Sequence, residues 1–110
     1  MRLAECPVRP AIDVIEGKWK PIVVNALKAG GLRFGQLRRH APEASSKVLT
    51  EQLRQLEKDG LVLRRATSSV PPQVTYSLNA PGEELVPTLQ TLCDWGCTHL
   101  HMKPSLPRHP

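Results

Sequence analysis

The side chains in this sequence best suited to covalent or metal chemistry are Cys6, Cys93 and Cys97, with His99 and His101 close to the last two. Cys93, Cys97 and His101 recur every four residues, a spacing that sets them on one helical stripe. Ligands at three successive turns span about 12 Å by helix rise and do not close around one zinc ion unaided. No metal site is expected, and no cofactor. A thiol enzyme is poorly supported as well. A cysteine nucleophile needs a base oriented by a third group, and neither that group nor a glycine-rich anion loop is evident. Cys6 differs from the other two in lying just before a helix start, where the helix dipole and nearby Arg9 favour negative charge on sulfur. That suits a reactive thiol; a small residue packed in an interface would have the same sequence signature.

A second constellation is suited to binding. In SSKVLTEQLRQLEKDGLV, from Ser45 to Val62, the residues Val48, Leu49, Leu53 and Leu56 form an apolar helical stripe. Ser46, Lys47, Thr50 and Arg54 fall on another side. Arg54 has the forked donors that take a guanine edge or a phosphate, Lys47 suits a phosphate or guanine, and Thr50 offers a hydroxyl and a methyl. The helix start near Ser45 and Ser46 favours a phosphate. A solvated helix face would carry similar residues, so the surrounding charge matters. From Lys28 to Arg65 there are nine lysines and arginines against four acids, while the rest of the chain is balanced. The whole excess of +5 therefore sits in this segment. Clustering of that kind points to a polyanion, because neutralised phosphates release condensed counterions.

Length sets the frame that must hold these groups. A chain of 110 residues supports one domain with one core, expected over residues 1–102. Aromatics make up only 4%, which disfavours a single-strand binder built on stacked rings. An odd number of cysteines without a dense framework fits a reducing compartment. MRLAECP has a superficial likeness to a lipidation box, but no apolar stretch precedes the cysteine, so no signal peptide is expected. Nothing approaches the roughly 20 apolar residues that span a bilayer. The expectation is a cytoplasmic protein with no membrane partner.

Periodicity and punctuation then give the elements. Pro7 opens a short helix carrying Val8, Ile12 and Ile15, which Gly17 stops. Pro21 opens a second with Ile22, Val23, Ala26 and Leu27 inward, Trp19 anchoring its entrance and Gly30-Gly31 ending it. Phe34, Leu37 and Ala41 mark two helical turns closed by Pro42, and Ser45 or Ser46 caps the basic helix that Gly60 ends. Leu61 to Arg65 and the alternating Val74, Tyr76 and Leu78 form a hairpin around the turn-rich tip 67–73. Asn79 caps a last helix with Leu85, Leu89, Leu92 and Trp95 or Gly96 on its buried side, kinked at Pro87. Residues 103–110 read as a disordered tail. The fold class is mainly α with a small β-hairpin, in the order of a winged helix-turn-helix.

Six words of the sequence carry a family resemblance: CPV at Cys6, GKWKP at Gly17, RFGQLRR at Arg33, SSKVLTEQLRQLEKDGLVLR at Ser45, PPQVTYSL at Pro71 and WG at Trp95. In this order they resemble the HxlR-type family of bacterial transcriptional regulators, relatives of the MarR type. The resemblance implies a homodimer on a paired operator in double-stranded DNA, repressing or activating nearby genes. It implies dimerisation through the first and last helices, which makes Val8, Ile12, Ile15, Leu92 and Trp95 candidates for the interface; filling the protomer's own core is their alternative. It also implies that Cys6 can serve as a sensor of oxidants, electrophiles or quinone-like compounds, as an N-terminal cysteine does in some members. Cys93 or Cys97 of the partner chain would then be within reach for an intersubunit disulfide. Two departures stand out. Asn79 replaces the family's usual threonine, and the wing tip TSSVPPQ lacks a basic side chain. Wing contacts would then fall to Arg64 and Arg65 at its base, with Arg33 as a further backbone clamp. Two rivals remain: a winged-helix protein-interaction adaptor without DNA binding, and a small thiol or metal enzyme.

Overall fold

The structure is a computed structural model that describes residues 6–100. The expected tail at 103–110 and His101 lie outside the described residues. The elements in chain order are α1 (Val8–Ile15), α2 (Lys20–Ala26) running into a 3-10 turn (Leu27–Ala29), α3 (Phe34–His40), α4 (Ser46–Lys58), β1 (Val62–Ala66), β2 (Val74–Leu78) and α5 (Ala80–His99). This is a mostly helical winged helix-turn-helix, as the sequence led us to expect.

The polar helix α4 is closed at both ends by local chemistry. Ser45 stands extended before it, and its Oγ accepts a hydrogen bond from the Val48 amide at 3.1 Å. One of the orphan donors of the first turn is thereby satisfied. At the other end Gly60 takes φ +80°, a conformation other residues rarely adopt. The Gly60 amide donates to Glu57 O and the Leu61 amide to Leu56 O, at 3.0 and 2.9 Å. This double closure reverses the chain and returns Leu61 to the same core as Leu56.

β1 and β2 pair antiparallel with Val62 opposite Leu78, Arg64 opposite Tyr76 and Ala66 opposite Val74. Leu32 adds a one-residue third strand: its amide and carbonyl exchange hydrogen bonds with Tyr76 at 2.9 and 2.8 Å. The segment before α3 is thus tied to the wing. Behind both, Val23, Val24, Leu27, Leu37, Leu49, Leu53 and Leu56 join residues of the hairpin and α5 in one apolar core.

Three expectations change. Val48, placed on the apolar stripe of α4, is exposed, because it lies about 140° round the helix from Leu53. Asn79 occupies the N-cap of α5 but makes no side-chain cap; instead its backbone amide donates to Leu61 O at 2.9 Å. On α5 the expected Leu89 is buried and Leu85 packs against the core, joined by Gly82, Val86 and Cys93, whereas Leu92 and Trp95, expected inward, face outward. Helix α5 runs through Pro87 as one element of 20 residues.

Candidate nucleic-acid interface

The outer face of α4 begins with Ser46 and Lys47, both exposed, continues with half-buried Thr50, and reaches exposed Arg54 a turn later. Directly behind them Leu49, Leu53 and Leu56 are fully buried, so the helix cannot roll without exposing its leucines. Packing therefore fixes which side chains point outward. Among the described residues, Lys47 and Arg54 make no hydrogen bond or ion pair. The acidic residue between them is occupied, since Gln55 Nε2 donates to Glu51 Oε1 at 3.2 Å. The face thus offers two free cations, while its acid is held along the helix.

The turn between α3 and α4 is held from two sides. Arg38 donates through its guanidinium to Ala44 O at 3.4 Å, one residue before the Ser45 cap. Lys18 lies over the Trp19 ring at 4.7 Å and pairs with Glu43 at 3.3 Å. Exposed ion pairs contribute little energy, but this one joins the start of α2 to the turn. This contact with Ala44 makes Arg38 a support for the start of α4.

The remaining basic candidates are divided. Arg64 and Arg65 are both exposed, but neighbours on a strand point to opposite faces, so they cannot grip one phosphate together. Arg33 precedes α3, and its amide donates to Gln36 Oε1 at 2.9 Å. Its guanidinium donates to the Gln73 side chain at the wing base. Gln73 is in turn locked to Thr67, whose amide donates to Gln73 O at 2.8 Å and whose Oγ1 accepts from the Gln73 amide at 2.9 Å. Arg33 therefore sits against the wing, 40 residues away in sequence. Sequence reading missed Gln73, for which no local pattern gives a signal. Val48 was missed too, although its position on the helical wheel would have revealed it. At the wing tip Val70 stands out into solvent.

Cys6, Cys93 and Cys97 are free thiols, each half-buried. Arg9, expected beside Cys6, instead pairs along α1 with Asp13 at 3.2 Å. His99 stacks on Trp95 with ring centroids 5.0 Å apart, and its Nδ1 lies 3.0 Å from Trp95 O. Among the described residues no three metal-ligating side chains come together, and no helix is long and apolar enough to cross a membrane.

The expected interface residues also separate. α1 buries none of its residues. Val8 and Ile12 are 57% and 45% exposed, and Leu92 and Trp95 on α5 are 58% and 52% exposed. Ile15 differs, being partly buried against the protomer's own core with Val14.

Comparison with known proteins finds the HxlR-like helix-turn-helix family matched over residues 14–104. An HTH-type transcriptional regulator of Methanothermobacter thermautotrophicus is 43% identical over 91 residues, covering 83% of this chain and 70% of the relative. Among solved structures, the redox regulator HypR in its reduced form superposes with a TM-score of 0.81 at 41% identity, over 86% of this chain and 94% of that one. HypR is also solved in its oxidized form. The reduced transcriptional regulator YodB of Bacillus subtilis gives a TM-score of 0.77 at 27% identity, over 86% and 93% of the two chains.

Proposed function

The chain belongs to the HxlR-like helix-turn-helix family of transcriptional regulators, and from that premise we propose that it acts in the cytoplasm as a homodimer on a paired operator in double-stranded DNA. The observation that carries this reading is the outer face of α4, where exposed and unpaired Lys47 and Arg54 stand opposite leucines that cannot turn away. Ser46, Lys47, Thr50 and Arg54 enter the major groove, where each base pair presents a distinct pattern of donors and acceptors. The start of α4 at Ser45 holds a phosphate. Arg64 and Arg65 take backbone contacts on opposite faces of the wing, and Arg33 contributes from the wing base.

The dimer forms through Val8 and Ile12 of α1 and Leu92 and Trp95 of α5, which the protomer leaves in solvent. A domain of this size buries apolar surface poorly by itself, and a two-fold interface offers these stripes a cover. Ile15 supports the interface from the core side.

Titration against duplexes selected from a random pool tests the reading. Affinity should fall steeply as salt rises, and selected sites should hold two half-sites about one helical turn apart. Arg54→Ala should weaken specific binding by about 1–3 kcal/mol if the arginine reads a base. Equal loss on selected and random DNA would make it a phosphate contact. Salt-independent binding, or none, would favour the adaptor.

The effector we propose is an oxidant or electrophile acting at Cys6, with Cys93 or Cys97 of the partner as the second thiol of a disulfide. Half-exposure of all three thiols and the likeness to redox regulator HypR support it. Diamide should shift operator affinity and dithiothreitol should restore it. Cys6→Ser should remove the response; a variant that still responds would exclude Cys6 as the sensor.

A further inference from the structure

The large apolar side chains left exposed among the described residues are Val8, Ile12, Val48, Val70, Leu92, Trp95 and Leu100. Those on α1 and α5 belong to the dimer face, and Val70 is at the wing tip. Val48 stands alone on α4, 38% exposed, in the turns that lead into the groove. A single exposed valine is ordinary on a protein surface, so exposure alone decides nothing. Its surroundings do. Ser46 and Lys47 precede it, Glu51 follows one turn later, and all three are exposed and polar. The Ser45 cap bonds the Val48 amide itself, which fixes the backbone from which the side chain projects.

We infer that Val48 is a specificity-determining residue that packs against the 5-methyl group of a thymine in each half-site. This rests on the reading of α4 as the recognition helix. The thymine methyl is the one apolar feature of the major-groove edges, and aliphatic contact is how proteins read it. A Cα–Cβ bond in a helix tilts toward the N-terminus, so Val48 covers the surface beside Ser45 and Ser46, at the end that enters deepest. Its branched side chain keeps essentially one rotamer in a helix, so presenting its methyls costs little entropy. The polar neighbours can position the backbone or take base edges, but they do not supply this apolar surface. Thr50, half-buried, carries the competing methyl.

The test replaces thymines by deoxyuridine, one at a time, in a duplex selected by the wild-type protein, removing a methyl and nothing else. Wild type should lose about three- to fivefold in affinity at one symmetric position, the size expected for one buried methyl. Val48→Ala should bind the thymine duplex about as weakly and show no further loss with uracil. Its salt dependence should equal that of wild type, because no charge has changed. Alanine is also the better helix former, so the variant keeps its fold. Uracil sensitivity that survives in Val48→Ala but disappears in Thr50→Ser assigns the methyl to Thr50 and overturns the inference. Wild-type indifference to every uracil overturns it too, with the DNA-binding reading left standing. A wild-type protein that binds no duplex in a salt-dependent way overturns both.

Discussion

Gly82→Ala is expected to destabilise the protein by about 1–3 kcal/mol, the usual cost of forcing extra volume into a packed interior. A Cβ at this position would stand 2.3 Å from Leu61 O and 3.1 Å from Leu78 Cδ2. The first of these is backbone, and it is held: Leu61 O accepts the Asn79 amide at 2.9 Å while the Leu61 amide closes α4 on Leu56 O at 2.9 Å. Relief therefore requires α5 to move off the hairpin or the end of α4 to loosen. Helix propensity acts in the opposite direction, since alanine is favoured over glycine in a helix by about 1 kcal/mol. The sign of the change thus tells whether the close approach exists. Gly35→Ala in α3, where a Cβ meets nothing within 4 Å, is the matched control and should be neutral or slightly stabilising. Urea unfolding of the two variants beside wild type makes the measurement. A Gly82→Ala protein as stable as wild type would mean that α5 does not sit this close to Leu61.

Gly82 also shows where sequence reading stops. Helix α4 was legible because its determinants are local: leucines at helical spacing, a serine to cap and a glycine to reverse the chain. Leu49, Leu53 and Leu56 are buried as the spacing implied, and Ser45 caps. The hairpin was legible from alternation ending in Tyr76 and Leu78. In α5 two adjacent stripes are both apolar, and periodicity alone cannot choose between them. The choice goes to the stripe that contains Gly82, a residue with no hydrophobic signal that lets two backbones approach. Leu92 and Trp95 consequently turn outward. The site shows the same division. The outward set on α4 followed from the wheel, whereas Arg33 meeting Gln73 depends on Leu32 pairing with Tyr76, a contact between distant segments.

The outward stripe leads to the largest expected functional effect. Leu92→Glu combined with Trp95→Glu should yield a folded monomer whose affinity for the paired operator falls by about 10²–10⁴-fold. The fold should survive because both side chains lie outside the protomer core. The dimer should not, because the substitutions bring like charges together across the two-fold axis in surface that must be desolvated. In the protomer α1 is held by Val14 and Ile15 near its end, with Val8 and Ile12 uncovered. An eight-residue helix is marginal by itself, and the proposed dimer would give α1 its cover. Two linked half-site contacts gain by effective concentration, and the monomer forfeits that gain while keeping each recognition face. Residual half-site binding should therefore still depend on Arg54 and on salt. Sedimentation reads the oligomeric state, circular dichroism the fold, and titration the affinity. A variant that sediments as a dimer would place the interface elsewhere. A monomer that holds the paired operator as tightly as wild type would show that dimerisation contributes nothing to binding. Cys6 lies two residues before α1, so in the proposed dimer the same cover would govern how closely its thiol meets the partner's Cys93 or Cys97. Loss of the dimer should remove the diamide response together with the affinity, whereas a sensor acting within one protomer would keep it.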